Sequence, residues 1–143
     1  MRRLTMLVAL ICLTGARAGA QRFFSTGVAD KDVQAYLDHL QKAAATNQRA
    51  AVAGLVAFPL RVNRGVRSHF MIADRAELLR RYDAVFTPAI RTAIVSQRYA
   101  DLYVNSGEIA VGRGAVWLKG ICTRRRPITC HLAVTSVNLA TGG

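Results

Sequence analysis

The spacing of apolar residues changes partway along this 143-residue chain, and that change limits the possible folds more than any single motif. Steps of three and four predict amphipathic helices over residues 31–45, 48–55, 77–86 and 88–96. Short alternating runs predict strands over residues 58–63, 66–72, 102–105, 108–111, 115–122 and 128–139. Helices followed by neighbouring antiparallel strands indicate an α+β fold, with the helices packed on one face of a sheet.

Polar residues mark the starts of several helical segments. Asp74 and Glu77 have the spacing of a capping box, in which two carboxylates accept hydrogen bonds from unpaired backbone N–H groups. Thr87 is a capping residue, and Pro88 follows it at the one helical position where a missing N–H costs nothing. Asp30 stands before the first helical segment and is expected to cap that helix in the same way.

The first twenty residues have the layout of a cleavable secretory signal peptide. Two arginines lie within residues 1–3, residues 4–14 are uncharged and mainly apolar, and Ala18-Gly19-Ala20 provides a small-x-small cleavage pattern before Gln21. Cleavage after Ala18 is the alternative. An uncut anchor is less expected, because a spanning helix needs about 20 apolar residues.

We therefore predict that the protein is periplasmic or secreted. Residues 21–31 are expected to form a flexible lead-in, and residues 32–143 a single domain with no integral membrane segment. Cleavage removes Cys12 together with Arg2, Arg3 and Arg17 but no acidic residue, so the formal charge falls from +12 to +9. Such a charge favours anionic partners, whereas the simpler alternative is an arginine-rich solvated surface.

Two cysteines follow the predicted signal, Cys122 and Cys130, and each ends a predicted strand of one hairpin. An even pair in an exported chain indicates a disulfide, and a zinc site would need more ligands than the pair supplies. We expect no metal and no cofactor. The loop between the cysteines carries Arg124, Arg125 and Arg126, which could bind phosphate or carboxylate groups, although a solvated turn is the alternative.

Three stretches resemble segments of the nuclear transport factor 2-like superfamily: residues 56–62, 77–86 and 109–118. The resemblance implies a cystatin-like cone, in which N-terminal helices pack on a curved antiparallel sheet around a cavity. Some members use that cavity for isomerase, dehydratase or hydrolase chemistry. Others bind ligands, or form homodimers through the open face of the sheet, so the resemblance predicts a fold more than a function.

Tyr82 and Asp83 are the only candidates for a catalytic pair, with Asp83 as a base and Tyr82 polarising a carbonyl. Neighbouring helix positions point about 100° apart, so an aromatic core residue beside a solvated acid is the simpler interpretation. The three histidines, His39, His69 and His131, fall on different segments, and we expect structural or surface roles for them.

Gly112-Arg113-Gly114 separates two strand segments and predicts a bend in the sheet. It is not a phosphate-binding loop, because no Gly-Lys-Ser/Thr and no helix start follow it.

Tyr36, Phe86, Tyr103 and Trp117 are the candidates for lining a pocket, with packing in the core or at a dimer interface as the alternative. The leading hypothesis is an exported, non-catalytic domain that binds a small ligand or an envelope protein. The alternatives are an isomerase- or lyase-type enzyme that uses the cone cavity, and a binder of anionic envelope polymers through residues 124–126.

Overall fold

The computed structural model of the chain describes residues 21–141, so the predicted signal peptide lies outside the described residues. The helices are α1 (Asp30–Ala45), α2 (Arg49–Gly54), α3 (Arg75–Arg80), α4 (Tyr82–Val85) and α5 (Pro88–Val95). The strands are β1 (Val56–Gly65), β2 (Ser68–Ile72), β3 (Tyr103–Asn105), β4 (Glu108–Val111), β5 (Val116–Cys122) and β6 (Cys130–Asn138). The α+β prediction is confirmed. Within the described residues, no helix is both long enough and apolar enough to cross a bilayer.

The six strands form one open sheet in the order β2-β1-β6-β5-β4-β3. Four of the five neighbouring pairs are antiparallel, as the sequence predicts, and β1 with β6 is parallel. The last strand of the chain enters the sheet between β1 and β5 rather than at an edge. Alternating apolar residues reveal a strand but not its neighbour or direction, so the sequence did not predict this pairing.

One face of the sheet is buried against the helices. Leu60 and Val62 of β1, Ile109 of β4 and Leu118 of β5 all lie in the single hydrophobic core. A register shift between β5 and β6 keeps Val134 and Val137 on that face, although they are three residues apart. Such a bulge bends a strand and changes which side chains it aims at the core.

The predicted caps of α3 and α5 are confirmed. The Asp74 carboxylate accepts a hydrogen bond from the Glu77 N–H at 2.8 Å, and the Glu77 carboxylate accepts one from the Ala73 N–H at 2.7 Å. That backbone N–H, with help from Arg81, holds the pKa of Glu77 below its usual value. Thr87 accepts from the N–H of the third helical residue of α5, as its position before Pro88 predicts.

The cap predicted at Asp30 is wrong: Asp30 is the first residue of α1, and its side chain does not cap that helix. Its two carboxylate oxygens instead accept hydrogen bonds from the backbone N–H groups of Arg22 and Phe23, at 2.9 and 3.0 Å. This pair of bonds folds the N-terminal segment back, and the Phe23 side chain is fully buried in the core. The segment 21–31, predicted as a flexible lead-in, is therefore packed into the domain.

The N-terminal segment crosses the sheet at very short range. A Cβ at Gly120 of β5 would lie 1.9 Å from the backbone oxygen of Thr26, and one at Gly107 would lie 2.9 Å from that of Ser25. Only a residue without a side chain allows backbone to approach backbone this closely. Gly120 therefore permits the contact between the N-terminal segment and β5.

We expect Gly120→Ala to destabilise the protein by about 2–3 kcal/mol, because the added methyl group collides with backbone that has little freedom to move. The matched control is Gly65→Ala, where an added Cβ meets nothing within 4 Å. Urea unfolding of both variants measures the difference in the free energy of unfolding. Equal losses in the two variants would contradict the close approach at Gly120.

Candidate functional site

The face of the sheet opposite the helices is the open part of the molecule. Side chains alternate between the two faces of a strand, so every second residue of β3, β4, β5, β6 and β1 projects here. One row crosses five strands in direct register and consists of Tyr103, Ala110, Trp117, Ser136 and Arg61. Two of the four predicted pocket residues, Tyr103 and Trp117, thus share one surface. We call this surface the open face.

A pocket of about 850 Å³ occupies one end of the open face. Its floor is formed by the aromatic and small side chains Tyr103, Ala110 and Trp117. Its walls come from the end of α5, the following segment 96–101, and the turn 112–114 between β4 and β5. This volume lies in the range of small-molecule sites in proteins. We call it the Trp117 pocket.

One wall of the Trp117 pocket depends on a glycine. A Cβ at Gly112 would lie 2.6 Å from the Cβ of Ala93 in α5, so the turn and the helix are in direct contact. The residues Gly112, Arg113 and Gly114 all have a positive φ, between 58° and 88°. The predicted bend at this tripeptide is therefore a left-handed turn that also holds the pocket wall against α5.

The side chains of two glutamines form hydrogen bonds that hold that wall in place. The Gln97 side-chain oxygen accepts from the Gly112 N–H at 2.7 Å, which joins the segment after α5 to the turn. The Gln41 amide of α1 donates to the carbonyl oxygens of Ile94 and Gln97, at 3.0 and 2.7 Å. The last carbonyls of a helix lack intrahelical partners, and Gln41 provides one. The pocket is thereby attached to the central helix α1.

The aromatic rings of the pocket floor pack against neighbouring residues but keep groups that are free to contact a ligand. Gly114 is buried, and a Cβ there would lie 3.5 Å from the indole nitrogen of Trp117, so the turn packs against the edge of the indole ring. Within residues 21–141, the indole N–H of Trp117 donates to no acceptor. The Tyr103 side chain is 61% exposed. Both rings are available to contact a ligand in the pocket.

The charged groups of the pocket are mainly positive. Arg98 lies 3.7 Å from the Asp101 carboxylate, and both side chains are well exposed. Arg113 is exposed and forms no ion pair with any described residue. The pocket therefore holds two guanidinium groups and one carboxylate, an arrangement that attracts an anion.

Two further grooves of about 460 and 440 Å³ continue from the Trp117 pocket across the open face. Trp117 lines both the pocket and the first groove, and Arg61 and Asn63 line both grooves. The first groove also holds the pair Lys119 and Glu108, whose charged atoms are 4.0 Å apart. The open face is thus a continuous polar surface with its aromatic part at one end.

The other two predicted pocket residues, Phe86 and Tyr36, lie away from the open face and line none of the five pockets described. Phe86 is fully buried in the core, where its ring stacks on Tyr82 with centroids 5.3 Å apart. Tyr36 is half-buried and donates its hydroxyl to the Leu55 carbonyl, and burial raises its pKa. Helical spacing identifies an inward face but does not show whether that face meets a cavity or a packed core.

The candidate catalytic pair is not brought together. Tyr82 is 0% exposed, and burial raises the pKa of its hydroxyl. The Asp83 side chain is 68% exposed and lies 3.0 Å from Arg49 on the surface. None of the five pockets described is lined by either residue. The pair cannot therefore act on one molecule inside the cone, as the isomerase-type hypothesis requires.

The three histidines lie on three separate elements, His39 on α1, His69 on β2 and His131 on β6, and all three are exposed. In the described part of the chain, no three His, Cys, Asp or Glu residues are placed so that they could hold a metal ion.

The disulfide predicted between Cys122 and Cys130 is confirmed, and the two residues face each other at the ends of β5 and β6. The loop between them, residues 123–129, is exposed throughout. None of the ion pairs among the described residues includes Arg124, Arg125 or Arg126. We call this segment the arginine loop. It is separate from the Trp117 pocket, because it lies at the opposite end of β5.

Comparisons of the chain with protein-family models, with curated proteins and with solved structures found no match, so the nuclear transport factor 2-like resemblance stays a prediction.

The polar residues of the Trp117 pocket that sequence reasoning missed include Gln97, Arg98, Asp101 and Arg113. Three of them lie in the segment after α5, where no periodic pattern assigns a side chain to a face. The fourth, Arg113, was noticed only as part of a bend. The two glycines beside Arg113 could have predicted its position. They allow a left-handed turn, which places the Arg113 side chain apart from the strands on either side.

The Tyr82 hydroxyl is buried and has no hydrogen-bond partner among the described residues. We expect Tyr82→Phe to leave the free energy of unfolding unchanged or to raise it by up to about 1 kcal/mol, because an unpaired buried hydroxyl costs free energy. The control is Tyr36→Phe, which removes a hydroxyl that donates to Leu55 and should cost about 1 kcal/mol. Thermal and urea unfolding distinguish the two. A clear loss in Tyr82→Phe would show that this hydroxyl has a partner.

Proposed function

We propose that this protein is an exported binding domain that holds a small planar organic anion in the Trp117 pocket. The observation that carries the proposal is the convergence of two aromatic rings and two arginines in one concave pocket. The rings of Trp117 and Tyr103 form an apolar floor, and Arg98 and Arg113 stand at the walls. A mainly apolar pocket with a few convergent polar groups is the usual form of a ligand site.

The aromatic floor favours a flat ligand. The exposed ring of Tyr103 and the partly exposed indole of Trp117 can stack on a planar group, and the indole N–H is a free donor. The small side chain of Ala110, which lies between the two rings in the register of the sheet, leaves room for that group. The ligand class that fits is therefore an aromatic or otherwise flat apolar molecule.

The arginines favour a carboxylate or phosphate on that ligand. A guanidinium group binds such an anion through two parallel hydrogen bonds. Arg113 has no ion-pair partner among the described residues and is available for this contact. Arg98 already shares its charge with Asp101, so we assign the larger contribution to Arg113.

Binding is a better interpretation than catalysis for the same pocket. Its only carboxylate, Asp101, is exposed and paired with Arg98, so nothing in its surroundings prepares it as a general base. The candidates for catalysis inside the cone, Tyr82 and Asp83, do not share a cavity. These placements support a non-catalytic role.

The test uses the single tryptophan of the chain as a reporter. In ¹⁵N-labelled protein starting at Gln21, Trp117 gives one indole N–H resonance, and trans-cinnamate at about 1 mM should shift it. Cinnamamide, which has the same shape without the charge, should bind at least about tenfold more weakly, because charge-assisted hydrogen bonds contribute about 1.5–3 kcal/mol.

Arg113→Gln should weaken cinnamate binding about tenfold, whereas Arg67→Gln should have no effect. Arg67 is exposed at the turn between β1 and β2, so it controls for the loss of one positive charge. The proposal fails if neither cinnamate nor the bulkier naphthalene-2-carboxylate moves the Trp117 resonance, or if both variants lose affinity equally.

Export is the second part of the proposal, and the disulfide and the signal-like first twenty residues support it. We expect the full chain, expressed in a Gram-negative host, to appear in the periplasmic fraction with its N-terminus at Gln21, or at Gly19 if the alternative site is cut. N-terminal sequencing and fractionation measure this. A product that keeps Met1 and stays with the membranes would contradict it.

A further inference from the structure

We propose that the arginine loop, together with the exposed side chains Ile128 and Phe24, is a docking surface for bilayers that contain anionic phospholipids. This surface lies at the opposite end of β5 from the Trp117 pocket, and the proposal does not depend on what that pocket binds. It rests on the fixed shape of the loop, its unbalanced charge and two exposed apolar side chains at the same end of the molecule.

The arginine loop is held in one shape by covalent and hydrogen bonds. The disulfide joins Cys122 to Cys130 at its base. Just above the disulfide, the Thr123 N–H donates to the Thr129 carbonyl at 2.9 Å, and the Thr123 hydroxyl accepts from the Thr129 N–H at 3.0 Å. The same hydroxyl lies 3.3 Å from the Pro127 carbonyl across the loop. A loop ordered in advance loses less conformational entropy when it binds.

Among the described residues, no acidic side chain forms an ion pair with this loop. The chain has no Asp or Glu after Glu108, and Glu108 itself faces Lys119 on β5. Arg124, Arg125 and Arg126 are exposed and form no ion pair with any described residue. Three adjacent guanidinium groups therefore project a local positive field toward solvent, which an anionic surface would neutralise.

Two exposed apolar side chains lie at the same end of the molecule as these arginines. Ile128 follows them in the loop and is 64% exposed, and Phe24 of the N-terminal segment is 79% exposed. Gly27, three residues after Phe24, lies against the disulfide, since a Cβ there would be 2.9 Å from the Cys130 sulfur. Phe24 and Ile128 are therefore at the same end of the molecule. Apolar side chains beside basic ones are typical of surfaces that lie in the interface of a bilayer.

The two apolar side chains favour a bilayer over a linear anionic polymer. A polyphosphate or acidic polysaccharide would be satisfied by the arginines alone and would gain nothing from Ile128 or Phe24. Surfaces that bind single-stranded nucleic acid interleave several aromatic rings with basic residues, whereas the proposed surface has one aromatic ring, Phe24, and it lies outside the arginine loop. Stable attachment to a membrane usually needs two weak contributions, and here arginine charge and inserted apolar groups supply them.

The experiment measures co-sedimentation of the protein starting at Gln21 with phosphatidylcholine vesicles that contain about one third phosphatidylglycerol, and with pure phosphatidylcholine vesicles. We expect binding to the anionic vesicles only, and weaker binding as salt rises and screens the charges. Each arginine near an anionic surface contributes about fivefold, so replacing Arg124, Arg125 and Arg126 by Gln should reduce binding about a hundredfold.

Ile128→Ser tests the apolar contribution separately and should weaken vesicle binding several-fold at every salt concentration, because it removes no charge. The matched control replaces Lys42, Arg67 and Arg80 by Gln, which removes three exposed positive charges outside the arginine loop. This control should bind vesicles within about twofold of the wild type. An unchanged Trp117 indole resonance shows that each variant is folded.

Three outcomes would overturn the proposal. The first is equal vesicle binding by the loop variant and by the control, which would mean that net charge alone causes the attraction. The second is full binding by Ile128→Ser, with no loss at any salt concentration. The third is loop-dependent binding to long-chain polyphosphate or to double-stranded DNA with no binding to anionic vesicles, which would assign the arginine loop to polymers.

Discussion

The structure depends on a six-stranded sheet that, within residues 21–141, has helices packed on one face only. Strand geometry sends alternate residues to opposite faces, so β5 directs Val116 and Leu118 to the helices and Trp117 away from them. Burial of the first set removes apolar surface from water, which is the main favourable contribution to folding. The second set cannot be buried by the same helices. An exposed face with an aromatic residue in it is therefore a direct consequence of how the core is formed.

A flat exposed face would not by itself be a ligand-binding site. Contacts between neighbouring segments hold a wall beside this face and so form a pocket. The Gly112 turn touches Ala93 of α5, Gln97 joins the turn, and Gln41 holds the end of α5 from the central helix α1. Arg22 adds a second attachment, donating to the carbonyls of Tyr99 and Ala100 at 3.1 and 2.9 Å, between the wall residues Arg98 and Asp101. The pocket wall is thus tied to both the core helix and the N-terminal segment, so its shape is set by the fold.

Sequence patterns predicted the features that depend on residues close together in the chain. They missed the features that depend on contacts between distant residues. The capping box at Asp74, the Thr87-Pro88 start and the disulfide hairpin depend on residues close in the chain, and the structure confirms them. The parallel pairing of β1 with β6 and the role of Asp30 in holding Phe23 depend on tertiary contacts that no periodic pattern contains. Of the four candidate pocket residues, Trp117 and Tyr103 line the pocket. Phe86 does not, because helical spacing could not distinguish a packed core residue from one that lines a cavity.

Where the arginines lie in the fold says more about binding than the net charge of the chain does. One strand, β5, separates Arg113 in the pocket wall from Arg124 in the arginine loop, and at about 3.3 Å per residue the two ends are about 20 Å apart. At that distance, beyond the Debye length at physiological salt, the two arginine groups influence each other little. A ligand in the Trp117 pocket and an anionic surface at the arginine loop could therefore be bound at the same time. The β5–β6 hairpin contributes Trp117 to the pocket and carries the arginine loop at its other end, and strand alternation puts the Trp117 side chain on the open face.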